Sequence, residues 1–227
     1  MNDSLKRKAA LAALDEVSDG MAIGLGTGST VTHFIRELGN RVSEGLRVRA
    51  IATSLRSENL ALEVGIPIVT FRECPQLDLT VDGADEVSPE LHLVKGMGGA
   101  LVREKIVASA SRRVVIVVDD SKLVDYLGTR SPVPIEVVPF ADDIVTYQLM
   151  EIGGDPRLRC SEGGKLFLSD NGNHIIDWHF GPIGDPALVE RQLKAVPGVV
   201  DSGIFSDLAD KVFVARDAAL EILERSP

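Results

Sequence analysis

Apolar and polar positions follow two different periods along the first half of the chain. Ser4–Val17 repeats apolar residues at helical spacing, and Met21–Leu25 is a short apolar run of strand length. Beyond a glycine loop, helical periodicity returns over Thr30–Glu44. Arg47–Ala52 then predicts a strand, Leu55–Val64 a helix, Ile66–Phe71 a strand, and Leu77–Val81 a buried strand that ends in Asp82. Ala100–Ser109 is helical again, and Arg113–Val118 is a β-branched run bounded by Asp119 and Asp120. Strands alternating with helices predict an α/β fold with a parallel sheet covered on both faces. In such sheets the loops at the carboxyl ends of the strands hold the ligand.

The pattern changes after Gly128, where Arg130-Ser131-Pro132-Val133-Pro134 reads as a linker. A strand (Val133–Val138), a helix (Asp142–Glu151), two strands (Leu158–Cys160 and Leu166–Trp178, the latter with an internal turn), a helix (Pro186–Ala195) and a strand (Val199–Phe205) follow. That is close to the split β-α-β order of a ferredoxin-like α+β domain. Asp170-Asn171-Gly172-Asn173 is a hairpin signal, because Asn-Gly tolerates positive φ at both central positions. Lys211–Ala215 and a helix over Ala218–Arg225 are expected to rejoin the first domain. The expected organisation is therefore a larger domain over 1–129, with 206–227 returning to it, and a smaller one over 130–205.

Bulk properties narrow the function by exclusion. No stretch approaches the roughly 18 consecutive apolar residues of a membrane span, and Met1–Glu16 lacks the apolar segment and cleavage site of a secretory signal, so a cytoplasmic chain without a membrane partner is expected. A net charge of −10 with 4% aromatic residues supplies neither the basic face nor the stacking platforms that nucleic acid requires. Cys74 and Cys160 are far apart and in no Cys-x-x-Cys pattern, which argues against a zinc site or a disulfide framework. His33, His92, His174 and His179 are scattered, so no metal site and no cofactor is expected. An anionic ligand would need a local positive site built from helix N-termini and a few lysines.

Three loops carry candidate chemistry. Gly24-Leu25-Gly26-Thr27-Gly28-Ser29-Thr30 follows a strand and opens a helix, so its amides and hydroxyls can cradle a phosphate. It is neither a Walker loop nor a dinucleotide fingerprint, and a purely structural glycine turn is the alternative. Asp82-Gly83-Ala84-Asp85-Glu86 places two aspartates three residues apart with small residues between them, against the alternative of a solvated acidic turn. Lys95-Gly96-Met97-Gly98-Gly99 sets a lysine before a glycine run, and the next helix carries Arg103-Glu104-Lys105, which also fits an ordinary charged surface helix.

In this order and spacing the three loops resemble the signature loops of A-type ribose-5-phosphate isomerases. The similarity runs on through Asp119-Asp120-Ser121-Lys122 and Asp170-Asn171-Gly172-Asn173 to Ala195-Val196-Pro197-Gly198-Val199-Val200, nearly the whole chain. The resemblance implies a Rossmann-like α/β domain plus a smaller α+β domain, a homodimer or homotetramer, and interconversion of D-ribose 5-phosphate and D-ribulose 5-phosphate in the pentose phosphate pathway. It implies Glu104 as the base that shuttles a proton between C1 and C2. Asp82 and Asp85 would serve ring opening and the sugar hydroxyls, together with Gly83 and Ala84 between them. Lys95 with the neighbouring glycine amides would stabilise the enediolate oxygen, and Gly96, Met97 and Gly98 would line the substrate. Lys6, Thr27, Gly28, Ser29, Thr30 and Lys122 would contact the substrate, mainly its phosphate. Met97 departs from the family pattern, which tends to glycine there.

Elementary chemistry agrees with these roles. A proton alpha to a carbonyl is weakly acidic, so its transfer needs a positioned base, worth about 10²–10⁴-fold, and donors aimed at the developing oxyanion. Two rival readings use a similar fold: an acyl-coenzyme A transferase with a nucleophilic glutamate, and a non-catalytic sugar-phosphate sensor attached to a DNA-reading module. For the second, no room for such a module is expected before the first helix.

Overall fold

The computed structural model describes residues 3–225. In chain order it opens with α1 (Asp3–Leu14), β1 (Ala22–Leu25), α2 (Ser29–Ser43), β2 (Arg49–Ala52), α3 (Leu55–Glu63) and β3 (Leu79–Asp82). Two short strands, β4 (Glu86–Val87) and β5 (Leu93–Val94), precede α4 (Leu101–Ser109) and β6 (Val114–Asp119). The remainder is β7 (Val133–Val137), α5 (Asp142–Ile152), β8 (Asp155–Leu158), β9 (His174–His179), α6 (Pro186–Lys194), β10 (Val199–Ser202), β11 (Ile204–Phe205), β12 (Lys211–Ala215) and β13 (Leu220–Glu224). The chain divides into two compact units: Met1–Ala84 with Arg103–Lys122 and Leu208–Pro227, and Asp85–Val102 with Leu123–Asp207. Met1, Asn2, Ser226 and Pro227 of the expected first domain lie outside the described residues.

The first unit is built on a six-stranded sheet in the order β13-β12-β6-β3-β1-β2, parallel except for β13. Every residue of β1, β3 and β6 is buried, as central parallel strands covered on both faces require. Helix α2 buries Val31, Phe34, Ile35 and Leu38, the i, i+3, i+4, i+7 face that its sequence spells. Helix α1 buries Ala9, Ala10 and Ala13, small residues that let it lie close to the sheet, together with Leu14. Phe34 is fully buried in this core, so its truncation to alanine should cost about 3–5 kcal/mol.

Two expected elements of this unit are corrected. Ile66–Phe71 is not a strand: Ile68 makes a single parallel bridge to Ala50, with Ala50 N donating to Pro67 O at 2.8 Å and Val69 N to Ala50 O at 2.9 Å. Pro67 has no N–H to extend that ladder. Ala218–Arg225 is not a helix either. Its residues turn at Arg216 N→Ala219 O, 2.9 Å, and pair as β13 with all five residues of β12. That ladder, with the Lys211–Glu224 ion pair across it at 2.8 Å, overrides the helical propensity of Ala, Leu and Glu.

The second unit holds a four-stranded antiparallel sheet in the order β10-β7-β9-β8, with the connectivity β7-α5-β8-β9-α6-β10 of a ferredoxin-like fold. Val133, Ile135 and Val137 alternate inward and meet Ile176 and Trp178 in its core, where Trp178 Nε1 donates to Gly153 O at 2.7 Å. This unit is larger than the expected 130–205, because Asp85–Val102, Leu123–Thr129, Ser206 and Asp207 belong to it. The expected strand over Val199–Phe205 is split at Gly203. β10 stays in the four-stranded sheet, whereas β11 joins β5 and β4 in a separate three-stranded one. A Cβ on Gly203 would sit 2.1 Å from Lys95 O and 2.8 Å from Pro134 Cδ, so only glycine lets the chain pass between sheets here. Of Leu166–Trp178 only the part from His174 is strand, and Leu166 makes an isolated bridge to Cys160.

Candidate active site

The strand order of the parallel sheet reverses between β1 and β3: β2 lies on one side of β1, and β3, β6 and β12 follow on the other. The carboxyl ends of β1 and β3 therefore flank the crevice where open α/β sheets bind ligands. The glycine loop leaves β1 there. Gly26 N donates to Val81 O at 2.9 Å, and Thr27 N donates to Asp82 Oδ1 at 3.1 Å, which also accepts from Gly83 N at 2.7 Å. A Cβ on Gly26 would meet Asp82 Oδ1 at 2.1 Å, so the absence of a side chain allows loop and carboxylate to touch. Gly28, at φ 127°, makes the turn into α2 in a region that favours glycine, and Ser29 and Thr30 occupy the first turn of that helix.

A cluster of hydroxyls that the sequence reading missed holds Thr27. Its Oγ1 lies 2.7 Å from Thr53 Oγ1 and 2.8 Å from Ser54 Oγ, while Ser57 Oγ donates to Gly26 O at 2.7 Å. Thr53, Ser54 and Ser57 are buried, and Ser54 also caps α3 by accepting from Ser57 N at 3.1 Å. The available signal was position: Thr53 and Ser54 follow β2 at the same carboxyl edge.

Glu104 lies in the first turn of α4 and is 4% exposed. Three residues on, Val107 packs so close to β1 that a Cβ on Gly24 would be 2.5 Å from its Cγ1. Residues three apart share a helix face, so Glu104 faces the sheet as Val107 does. A helix crossing from β3 to β6 starts at the carboxyl edge, which puts Glu104 at the ligand-binding end. Lys122 closes the 3₁₀ turn Asp120–Lys122 directly after β6, on the same edge. Lys6 is half-buried on α1. Ala84 is half-buried at the end of the Asp82 loop.

The other predicted residues lie in the second unit. Asp85 N donates to Val94 O at 2.8 Å, and Asp85 Oδ2 accepts from Met97 N at 3.0 Å. Lys95 is 3% exposed, with Nζ 5.5 Å from the centre of the Phe205 ring. Gly96, at φ 107°, and Gly99, at φ 79°, bracket a turn closed by Gly99 N→Gly96 O at 2.9 Å, and Gly98 is exposed between them. Met97 has no positive φ and its side chain is 46% exposed, which explains how a non-glycine residue is accommodated. Glu86, beside the predicted aspartates, is structural. It is fully buried and accepts from the amides of Gly128, Arg130 and Ser131 at 2.6 Å each.

A glycine loop at a helix N-terminus, buried carboxylates and a buried lysine are groups that acid–base chemistry on an anionic substrate can use. Among the described residues no group of three or more His, Cys, Asp or Glu is arranged to hold a metal, and no helix is long and apolar enough to cross a membrane. The family model for ribose 5-phosphate isomerase A (phosphoriboisomerase A) matches residues 49–219. The ribose-5-phosphate isomerase A of Thermomicrobium roseum is 50% identical over 97% of this chain and 94% of its own length. That of Gloeobacter violaceus is 47% identical over 99% and 97%. The solved ribose 5-phosphate isomerase A of Methanocaldococcus jannaschii superposes with a TM-score of 0.95 at 44% identity, covering 99% of this chain and 100% of that one. A D-ribose-5-phosphate isomerase solved in complex with phospho-erythronic acid superposes at 0.96, with 41% identity and the same coverage. The chain belongs to the ribose 5-phosphate isomerase A family, and with it to the aldose–ketose isomerases.

Proposed function

We propose that this chain interconverts D-ribose 5-phosphate and D-ribulose 5-phosphate through an enediolate, with Glu104 as the base. Glu104 removes the C2 proton of the open-chain aldose, the electron pair forms C1=C2, and charge collects on O1. Return of the proton to C1, with transfer of the O2 proton to O1, gives the ketose. Lys95 and the amides of Gly96 and Gly98 offset the oxyanion charge, while the Met97 amide is held by Asp85. Asp82 and Asp85 assist ring opening and hold the sugar hydroxyls beside Gly83 and Ala84. Thr27, Gly28, Ser29 and Thr30, with Lys6 and Lys122, hold the phosphate against the N-terminus of α2.

The observation that carries this reading is the burial of Glu104 at the carboxyl edge of the sheet, because a carboxylate serving only solubility would be solvated. The test is turnover of ribose 5-phosphate in deuterated water. Deuterium at C1 of the ketose supports transfer through a base that exchanges with solvent, and absence of turnover refutes the reading. Its setting is the non-oxidative pentose phosphate pathway. A cytoplasmic location fits the unpaired thiols of Cys74 and Cys160, the latter exposed, since free thiols persist in reducing compartments. A homodimer or homotetramer is the assembly expected. The exposed apolar residues Phe140, Ile144, Tyr147 and Met150 on and beside α5 support a self-associating face.

A further inference from the structure

The loop assigned to the oxyanion lies on a face of the four-stranded sheet that its own core does not use. Pro134 and Glu136 of β7 point opposite to Val133, Ile135 and Val137, as do Ile175 and Asp177 relative to Ile176 and Trp178. On this face Arg159 is 10% exposed and makes a two-pronged ion pair with Asp177, Nε to Oδ2 at 2.9 Å and NH2 to Oδ1 at 2.5 Å. Its third nitrogen, NH1, donates to Gly96 O at 2.9 Å and to Met97 O at 3.2 Å. Burying a guanidinium is costly unless its donors are satisfied, and here they are divided between one carboxylate and two consecutive carbonyls.

Those carbonyls decide where the loop's amides aim. In a planar trans peptide the C=O of one residue and the N–H of the next point to opposite sides. Drawing Gly96 O to Arg159 sends Met97 N–H the other way, and it meets Asp85 Oδ2 at 3.0 Å. Drawing Met97 O to Arg159 likewise turns Gly98 N–H away from Arg159, toward the side on which Asp85 lies. Phe167 secures the far end of the loop, since a Cβ on Gly99 would be 2.4 Å from its ring, and the Arg159 guanidinium lies 5.7 Å from that ring's centre. The hairpin after Phe167 is fixed in turn by Glu136 Oε1, which accepts from Ser169 Oγ at 3.0 Å, Asn171 Nδ2 at 3.0 Å and Asn173 Nδ2 at 2.8 Å.

We propose that Arg159, held by Asp177, is a positioning residue that aims the Gly98 amide at the oxyanion of the isomerisation. The inference rests on the reading of Lys95 and the loop amides as the oxyanion donors. Arg159 itself touches no reacting atom. Misaiming an amide should cost transition-state stabilisation and leave ground-state binding through the phosphate alone.

The experiment compares Arg159→Met, Arg159→Lys and Asp177→Asn with the wild type and Glu104→Gln. It measures kcat and KM for ribose 5-phosphate and the affinity for phospho-erythronic acid, whose planar carboxylate stands in for the planar enediolate. Arg159→Met should lower kcat about 10- to 100-fold, less than the roughly 10²–10³-fold of deleting an oxyanion donor outright. KM should stay within about twofold, while phospho-erythronic acid binding weakens in step with kcat/KM. Arg159→Lys should fall between wild type and Arg159→Met, because an ammonium cannot span Asp177 and both carbonyls. If Arg159→Met does not fold, Arg159→Lys and Asp177→Asn decide by the same split of kcat from KM. Wild-type kcat and analogue affinity in the folded variants, or a rise in KM alone, overturns the proposal. A Glu104→Gln enzyme with normal kcat would instead overturn the reading beneath it.

Discussion

A carboxylate that moves a proton and one that only binds a hydroxyl respond differently to loss of charge. Glu104→Gln keeps size and hydrogen-bonding capacity but cannot accept the C2 proton. Steady-state kinetics should show kcat reduced about 10²–10⁴-fold with KM little changed, and circular dichroism should show an intact fold. Near-normal kcat would move the base to Asp82 or Asp85. A second residue tests the contact between loop and carboxylate. Gly26→Ala would place a methyl 2.1 Å from Asp82 Oδ1 and 2.6 Å from Asp82 Cα, so β1 and β3 must part at their carboxyl ends. Overpacking of this kind costs about 1–3 kcal/mol, and turnover should fall with it. Denaturant unfolding and activity of Gly26→Ala unchanged from wild type would remove the structural basis for pairing Thr27 with Asp82.

Elements are fastened to each other by ion pairs whose pH dependence has a definite sign. Glu16, just past α1, accepts from Lys211 of β12 at 2.7 Å and from Arg113, before β6, at 2.8 Å. The hydrogen bond from Lys211, and then that from Arg113, hold its carboxyl below the ordinary 4.5. The stability it contributes is therefore present above about pH 4.5 and lost as pH falls through the lower native value. Lys211 is raised above 10.5, chiefly by Glu16 and then by Glu224, so its share is present below that value and fades as pH rises through the higher one. Glu16→Gln should destabilise the protein near neutrality, and the gap from wild type should close in acid unfolding titrations. A gap as large at pH 3 as at pH 7 would contradict the assignment. At this scale α2 was legible because its buried face repeats at the helical period, and the three loops were legible as motifs at strand ends. β13 was not, since Ala-Leu-Glu-Ile-Leu-Glu favours a helix until β12 is there to pair with it. The two-residue strands β4, β5 and β11 are too short for any period to show. Thr53, Ser54 and Arg159 acquire their roles through contacts 26, 27 and 62 or more positions away, which a local pattern does not carry.

For the whole molecule the question is how a chain of net charge −10 favours an anionic substrate. In the proposed reading the answer is local: the amides and hydroxyls at the start of α2, with Lys122 after β6 on the same edge of the sheet. No step of the proposed reaction needs a metal ion, so kcat should be unchanged in EDTA, and loss of activity restored by a divalent ion would contradict the scheme. The phosphate does not react, so its binding energy can lower the barrier only by holding C1 and C2 in place. Free ribose should therefore turn over far more slowly than ribose 5-phosphate. Removing the phosphate's partner should matter only when the phosphate is present. Lys122→Ala should lower kcat/KM for ribose 5-phosphate about 10- to 100-fold, the range of one hydrogen bond to a charged group, and leave the residual rate on ribose nearly unchanged. Thr30→Ala should behave alike with a smaller loss. Lys6→Ala separates a phosphate ligand, which follows the same pattern, from a lysine on a solvated helix face, which alters neither rate. Equal losses on both substrates would mean that these residues support the fold or the chemistry, and the anion site would have to be sought elsewhere.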